Sequence, residues 1–472
     1  MRKSIFYLPA TLLLPVFILL FSNLSCNKID NGYLIITKTV ASGNPVAIPP
    51  ADMSRYAAGS TLVAVDRDKP GSTPVILTGD LASAMSPSVS PDGKKMVFTG
   101  QSKSGDKWQI FEMNLANLKF KAVTGPEENC YDPAYLPNGR ILFSREIHDD
   151  TTGLACNIFT VLPDGSDLKQ VTFHPDADFA PTVMADGRVL MLSNQLYPEK
   201  GKTSYYVMRP DGTKFDIYTG PVDGGTFFSR ASENSDGIIY FCEADASGKH
   251  GNALYCLNQN RPLHTSKKLS TDSNDSFMSV HASVSGEIYV SCRPGGTARY
   301  GIYTFDAATG KTGTVLLSDE SADYTDITVA ETRPRPKKLP SEVDLLVKTG
   351  QVMCQDINTM SLSMNQLKAS KIEILGAGKS LGVIDVEPDG SFYLKVVADT
   401  PFRIRTIDEK GNTINGPSGW MWLRPNERRG CVGCHEDPEL VPENRIPLAV
   451  KLKPVAVPVH ITKLKEKSVE LE

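Results

Sequence analysis

The amino-acid sequence predicts an all-β protein, in which a six-bladed β-propeller is followed by a small β-sandwich-like module and a short C-terminal segment. Glycines at predicted tight turns recur every 46 to 50 residues between positions 93 and 286. Apolar and β-branched residues follow each of these turns, and helical periodicity is absent from the region. Beyond position 340, further runs of alternating apolar and polar residues predict the strands of a separate module.

The N-terminus has the features of a secretory signal segment. Two basic residues precede an apolar run from Ile5 to Phe21, an order that is typical of exported proteins. The sequence Leu24-Ser25-Cys26 then resembles a bacterial lipoprotein cleavage site, which implies a signal peptide over residues 1–25 and acylation of Cys26. Ordinary cleavage and a permanent membrane span are the alternatives. Residues 26–58 are expected to form a tether.

The composition is that of an ordinary exported globular protein. The net charge of the 472 residues is −4 and no long basic block occurs, so nucleic-acid binding has no electrostatic basis. Six of the nine cysteines have no predicted role: Cys130, Cys156, Cys242, Cys256, Cys292 and Cys354. Cys242 and Cys256 are predicted on neighbouring strands, where a disulfide could form. Buried thiols are the interpretation we favour, because a chain of this length can bury large cores.

Five copies of one repeat predict the propeller, which we place over residues 59–335. Their turn glycines are Gly93, Gly139, Gly187, Gly237 and Gly286. Such a period accommodates four short strands with their turns. Strands at Ser60–Val65 and Tyr324–Val329 are expected to complete a sixth blade, because closing the ring removes exposed sheet edges. Ser90–Phe98 resembles the repeat of TolB-type propellers, which implies six blades, with seven as the alternative.

One histidine is predicted to face the propeller axis. The residues five positions before the turn glycines are Ser88, Ala134, Thr182, Ser232 and His281. They are expected to occupy equivalent places on the innermost strands, and His281 is the only imidazole among them. It is either a ligand or proton-transfer group at the axis or, as we favour, a hydrogen-bonded histidine that lines a wet channel.

A proline-rich stretch separates the propeller from the second module. Thr332–Pro340 contains three prolines and four cations, which predicts a linker. A small β-sandwich-like module is expected over residues 336–415. Its strands are predicted at Val343–Val347, Lys371–Leu375, Gly382–Val386, Phe392–Val396 and Phe402–Ile407.

The most specific motif is Cys431-Val432-Gly433-Cys434-His435. In c-type haem attachment each thiol adds to one vinyl group, and the adjacent imidazole binds the iron. The sequence therefore predicts one covalent haem c on a segment over residues 416–472, with Cys431 and Cys434 as thioethers and His435 as proximal ligand. A zinc site would need further ligands, and a thioredoxin-type dithiol would need a βαβ unit.

The second axial ligand of the iron stays open. His460 and Met421 are the nearby candidates, and the propeller histidines could bind the iron only if the propeller packs over the haem. Those histidines are His148, His174, His250, His264 and His281. Trp420 and Trp422 either pack on the haem edge or belong to the module core. Nearby arginines either bind the haem propionates or are solvated: Arg424, Arg428 and Arg429.

The order of these parts resembles the hydrazine synthase alpha subunit and its exported relatives. The specific element is Arg424–Glu436, and the resemblance implies haem thioethers at Cys431 and Cys434 with His435 on the iron. That subunit is a multihaem protein, whereas this sequence has a single Cys-x-x-Cys-His motif. Hydrazine synthesis is therefore not expected here, and the substrate stays open.

Three functions are compatible with these observations. We place first a monohaem cytochrome that transfers electrons to a redox partner protein, with the propeller as scaffold. The second is a haem-dependent oxidoreductase of hydrazine-synthase-like architecture that acts on a small molecule. The third is a TolB-like binding protein with a structural haem. In each case we expect an extracytoplasmic protein, attached to a membrane through Cys26, that binds no nucleic acid.

Overall fold

The computed structural model describes residues 28–41, 56, 58–150, 153–195, 202–247, 249–297, 299–359, 368–433, 437, 439, 441 and 443–458. Within these ranges the regular structure consists of strands and two short 3-10 helices, Pro294–Gly296 and Leu448–Lys451. None of the helices in this part of the chain is long and apolar enough to cross a membrane. The all-β prediction is confirmed.

Six small antiparallel sheets form the propeller. The chain enters through β1 (Tyr33–Val40), β2 (Ser60–Asp66) and β3 (Val75–Ile76). The first blade contains β4 (Ser83–Val89), β5 (Lys95–Gln101), β6 (Gln109–Asn114) and β7 (Phe120–Ala122). The second contains β8 (Cys130–Tyr135), β9 (Ile141–Asp149), β10 (Gly153–Val161) and β11 (Lys169–Gln170). The third contains β12 (Asp178–Val183), β13 (Val189–Ser193), β14 (Ser204–Met208) and β15 (Asp216–Thr219).

The innermost strand of the fourth blade is interrupted. This blade contains β16 (Thr226–Phe227), β17 (Ser232–Glu233), β18 (Ile238–Ala244), β19 (Ala253–Asn258) and β20 (Lys267–Lys268). The fifth contains β21 (Ser276–Ala282), β22 (Ile288–Arg293), β23 (Gly301–Asp306) and β24 (Lys311–Leu317), and the propeller ends with β25 (Ala322–Val329).

Strands from both ends of the propeller close the ring in the sixth blade, as predicted. Its strand order is β25-β1-β2-β3, so β1 lies between the two strands that the sequence identified. Leu34, Ile35 and Ile36 of β1 are fully buried. The range predicted as a tether therefore contains a propeller strand. Its consecutive apolar residues are explained by burial on both faces of the sheet.

The predicted linker is not a free connection, because it is bound to one face of the propeller. Arg333 donates its backbone N–H to the carbonyl of Pro91 at 2.9 Å, and Lys337 donates to the carbonyl of Ala185 at 3.0 Å. The turn glycine of the third blade permits this approach. A Cβ on Gly187 would lie 2.2 Å from the carbonyl oxygen of Lys337. The linker thus crosses the propeller face from the first blade to the third.

The second module is a sandwich of two four-stranded sheets, as predicted, although the strand predicted at Val343–Val347 is not formed. One sheet has the order β32-β26-β29-β33 and the other β28-β27-β30-β31. The strands are β26 (Thr349–Cys354), β27 (Lys371–Gly376), β28 (Lys379–Asp385), β29 (Phe392–Val397), β30 (Arg403–Ile407), β31 (Thr413–Asn415), β32 (Arg428–Cys431) and β33 (Val455–Val457). Val352 and Leu394 of the first sheet share a core with Ile372 and Ile374 of the second. The region predicted as a separate haem-binding segment therefore supplies two strands, β32 and β33, to this module.

The propeller cysteines are thiols in the described chain. Cys242 lies opposite Leu254 in the β18–β19 pair, and Cys256 lies opposite Tyr240. The two cysteines are thus out of register, and neither forms a disulfide. Burial raises the pKa of the Cys242 thiol to about 12, which keeps it protonated and unreactive.

Candidate haem-binding site

Strand β32 carries the first cysteine of the Cys-x-x-Cys-His motif. It pairs in parallel with β26, and Cys431 stands opposite Cys354. The carbonyls of Cys431 and Val432 accept hydrogen bonds from the backbone N–H groups of Gln355 and Asp356, at 2.8 and 2.9 Å. A Cβ on Gly433 would lie 2.4 Å from a carbonyl oxygen of the same loop. The start of the motif is therefore held closely against the loop that follows β26.

Several predicted site residues lie outside the described residues. They are Cys26, Cys434, His435 and His460. Cys431 is described and is half-buried at the edge of the module core. The assignments of haem thioethers, iron ligands and lipid attachment therefore stay predictions.

A buried glutamate fastens the segment that precedes the motif. The side chain of Glu427 is fully buried, and it accepts hydrogen bonds from the backbone N–H groups of Lys214 and Arg424, at 2.9 and 2.8 Å. It also accepts a hydrogen bond from the guanidinium of Arg429 at 2.9 Å. Lys214 belongs to the β14–β15 turn, so Glu427 joins the motif strand to the third blade. Sequence reasoning missed this residue, and its only signal was an acid beside Arg428 and Arg429.

Acidic residues after the motif bind the fourth blade. Asp437 accepts a hydrogen bond from Nε2 of His264 at 2.6 Å. Glu439 accepts one from the backbone N–H of Leu263 at 2.7 Å and lies 3.4 Å from Nε of Arg261. The backbone N–H of Glu439 and the His264 side chain hold the pKa of Asp437 below its usual range. The β19–β20 loop thus clamps the chain on the far side of the motif, and His264 is the propeller histidine that reaches this flank.

The tryptophans near the motif are core residues. Trp422 is fully buried in a core cluster of the propeller. Its ring lies 4.2 Å from that of Phe215 and 5.5 Å from that of His174. His174 is itself occupied by a 2.8 Å contact with Asp178. Trp422 therefore anchors the module to the third blade, and it lies in a core of the propeller, whereas the alternative to haem packing was the core of the β module.

The other predicted haem contacts are largely engaged within the protein. Met421 packs against the module core, and its backbone pairs with Phe402. Arg424 forms a 3.0 Å ion pair with Asp399, and Arg429 pairs with the buried glutamate described above. Arg428 is exposed, which makes it the arginine best placed to meet a propionate.

Open space adjoins Cys431, and the segment after the motif has several exposed apolar side chains. A Cβ on Gly430 would meet no atom within 4 Å, so space is open directly before the cysteine. Arg445 donates to the carbonyl of Gln355 at 2.9 Å, which places the segment around it beside the loop that binds Cys431. This C-terminal segment leaves large apolar side chains in solvent, at Val441 (94% exposed), Ile446 (73%), Val450, Leu452 and Val455.

His281 lies on the wall of the axial cavity, together with its four predicted equivalents. Burial, and then the charges of Arg333 and Arg230, lower the pKa of its imidazole to about 3. Among the described residues no hydrogen-bond partner reaches its ring. The axial position matches the prediction, and hydrogen bonding of His281 in a wet channel stays a prediction.

Comparison with known proteins finds similarity to hydrazine synthase and to TolB. Residues 343–436 match the hydrazine synthase alpha subunit middle domain. The hydrazine synthase alpha subunit of Kuenenia stuttgartiensis is 21% identical over an alignment of 494 positions, which covers 76% of this chain and 61% of that protein. A TolB homologue of Chlorobium luteolum is 28% identical over 111 residues, or 24% of each chain.

The structural comparison agrees. The Kuenenia stuttgartiensis hydrazine synthase structure superimposes with a TM-score of 0.77 at 18% identity, over 90% of this chain and 72% of that one. The chain thus spans 61% of the length of the curated hydrazine synthase subunit. Residues 343–436 are thus similar to the hydrazine synthase alpha subunit middle domain, and the fold of the chain is similar to that of hydrazine synthase.

Proposed function

We propose that this protein is a haem enzyme that acts on a small molecule, with one haem c attached at the junction of propeller and β module. Cys431 and Cys434 would hold the haem as thioethers, and His435 would bind the iron. The haem would supply one-electron redox chemistry at the iron. Likeness to a hydrazine synthase subunit supports this function better than the electron-transfer function that we placed first from sequence.

One observation carries the proposal: the motif is fastened to the propeller on both sides. Glu427 binds the third blade before the motif, and Asp437 and Glu439 bind the fourth blade after it. A cofactor attached between these contacts would face the propeller, which supplies walls that exclude water. An electron-transfer haem needs an exposed edge for its partner, whereas a walled iron position suits a substrate.

We further propose an extracytoplasmic location. Support comes from the signal segment and from likeness to a TolB homologue. Acylation of Cys26 would attach the protein to a membrane, since two or more acyl chains bind a bilayer stably. The variant Cys26→Ala should then appear in the soluble fraction.

The decisive test of the enzyme function is the absorption spectrum of the reduced protein with and without carbon monoxide. An open iron position should bind carbon monoxide readily, with a shift of the haem absorption bands. A low-spin reduced spectrum that carbon monoxide leaves unchanged would mean two filled axial positions, and would restore electron transfer. The variant His460→Ala serves as control, because it gains carbon monoxide binding only if His460 is the second ligand.

A further inference from the structure

The propeller encloses a second candidate site, remote from the haem motif in the fold. Along its axis the described residues line a cavity of about 910 Å³, a size that is typical of small-molecule pockets. Arg333 and Pro336 of the linker, and Glu331 directly before it, line this cavity. The linker that crosses the propeller face therefore contributes its floor.

Strained residues shape the wall. Ser86, Asp132, Ala180 and Asp326 occupy β-bulges of their innermost strands with φ of 53°, 51°, 49° and 46°. Residues other than glycine adopt such angles rarely, and when they do they cluster at functional sites. The same bulge in four blades turns these residues toward the axis.

Neutral donors satisfy the carboxylates of this wall. Asp132 accepts hydrogen bonds from Oγ of Ser86 at 2.7 Å and from the backbone N–H of Ala180 at 2.9 Å, and a further one from Tyr56. Asp326 accepts one from Thr37 at 3.1 Å. Both acids therefore have neutral donors, and Asp132 also forms a 3.8 Å ion pair with Arg230.

The cations of the cavity have few and long contacts. Arg230 lies 3.8 Å from Asp132, and its Nη2 is buried without a hydrogen-bond acceptor. The side chain of Arg333 donates to the carbonyl of Val89 at 3.2 Å and forms no ion pair in the described chain. Oγ of Ser279 is buried without a partner, and the His281 ring also has none there. Buried donors without acceptors are rare and unfavourable, so this cluster is complementary to a group with several acceptor atoms.

The electrostatics of the cluster agree. Arg333 and Arg230 both lower the pKa of His281, after the larger effect of burial, so both guanidinium groups lie close enough to act on this imidazole. Asp132 forms a long ion pair with Arg230, and Asp326 and Glu331 also interact electrostatically with these arginines. Burial raises the pKa of both Glu331 and Glu233, and each of them accepts a backbone N–H at the rim. A bound anion would relieve the repulsion between the two guanidinium groups.

We propose that the axial cavity binds a small organic oxyanion, whose anionic group is held by Arg230 and Arg333 with His281 and Ser279 as neutral donors. Guanidinium groups recognise carboxylate and phosphate oxygens through paired hydrogen bonds. The organic body of the ligand would lie on the apolar part of the wall, formed by Met85, Pro87, Pro181, Met278, Val280 and Ile327.

The test is calorimetric titration of the full haem-loaded chain with citrate and, separately, with inorganic phosphate. We expect one saturable site for at least one of these anions. The anion that binds with higher affinity indicates whether the site prefers a carboxylate or a phosphate. Arg230→Gln should weaken binding about tenfold to a hundredfold. The matched control is Arg67→Gln, because Arg67 is similarly buried but keeps a carboxylate partner at 3.2 Å, and it should leave affinity unchanged.

Two further variants keep the test decisive. Arg230→Lys retains the positive charge but lacks the paired N–H donors of the guanidinium, so it should bind the anion with intermediate affinity. His281→Leu should weaken binding without removing a charge. Thermal unfolding without anion confirms that each variant is folded. Cys431→Ala should bind the anion normally, which separates this site from the haem. Absence of saturable binding for both anions, or binding that Arg230→Gln and His281→Leu leave intact, would overturn the proposal.

Discussion

Glu427 shows how a single side chain determines the placement of the candidate site. It is a fully buried carboxylate with three donors, one of which belongs to a propeller turn more than two hundred residues earlier. Replacing it by glutamine keeps the shape but removes the charge that faces Arg429. Loss of one partner from a buried pair costs about 3 kcal/mol.

We therefore expect Glu427→Gln to lower the free energy of unfolding by about 3 kcal/mol, as measured by denaturant titration. Glu443→Gln is the control, because the Glu443 side chain is 82% exposed and its ion pair should contribute less than about 1 kcal/mol. Equal effects of the two variants would contradict the role of Glu427.

His281 makes a prediction about pH. Its pKa is lowered to about 3 in the folded protein from an ordinary 6.5. Between these values the unfolded chain binds a proton that the folded chain does not, so this residue lowers stability progressively as the pH falls from 6.5 toward 3. His281→Gln should therefore make stability less dependent on pH in this window. The measurement is NMR titration of the imidazole, and protonation near pH 6.5 in the folded state would contradict the prediction.

Functional residues that are close together in the sequence could be predicted, whereas those that only the fold brings together could not. The haem motif could be recognised because its thiols and imidazole are neighbours in sequence. The axial position of His281 followed from counting back from a turn glycine. Glu427 and Arg230 could not be identified, because their surroundings come from strands and turns that only the closed ring brings together.

Among the elements, the linker departs furthest from expectation. Its prolines and cations predicted a solvated connection, yet its backbone N–H groups bind propeller carbonyls. Gly187 and Gly286 provide a matched pair for testing this contact, because both have φ of +92°. A Cβ at position 187 would strike the linker, whereas one at 286 would meet no atom within 4 Å.

Gly187→Ala should therefore destabilise the protein more than Gly286→Ala does. The second variant carries only the cost of the backbone angle, about 1 kcal/mol, and the first adds displacement of the linker. We expect a difference of at least about 1 kcal/mol between them in denaturant unfolding. Equal losses would show that the linker does not rest on this turn.

The clamp after the motif predicts a local effect with little change in global stability. His264 is 43% exposed where it meets Asp437, so this contact should stabilise the fold by less than about 1 kcal/mol. His264→Ala should nevertheless increase hydrogen exchange of the backbone around residues 431–443. His250 is exposed in another loop, and His250→Ala should leave that exchange unchanged. If both variants behave alike, the clamp does not hold the motif.

Periodicity explains which elements the sequence could predict. The strands that follow the turn glycines were identified because each turn requires a positive φ before an apolar run. Strand β1 was missed because it precedes the first repeat. It is buried on both faces, so its apolar residues are consecutive and do not alternate with polar ones. Strand β32 carries two arginines and a glycine in its four residues, so it has no strand pattern, and its pairing with β26 depends on the folded module.

On the scale of the whole molecule, the propeller and the β module pack against each other. The six-bladed ring and the sandwich were both predicted, since each follows from local repetition. Their association was not, because it rests on one tryptophan of the module that packs against the third blade and on acids that bind turns of the third and fourth blades. The result is a strand with Cys431 that is bound to the module and fastened to the propeller through its flanking residues, with a separate cavity along the propeller axis.

The central claim is that residues 431–435 carry a covalent haem at this junction. Its most direct test is peroxidase staining of the purified full chain on a denaturing gel. We predict that stain accompanies the wild-type band and the Cys256→Ala control, and is lost in a protein with both Cys431→Ala and Cys434→Ala. A wild-type band without stain, or stain that survives the double substitution, would contradict the claim.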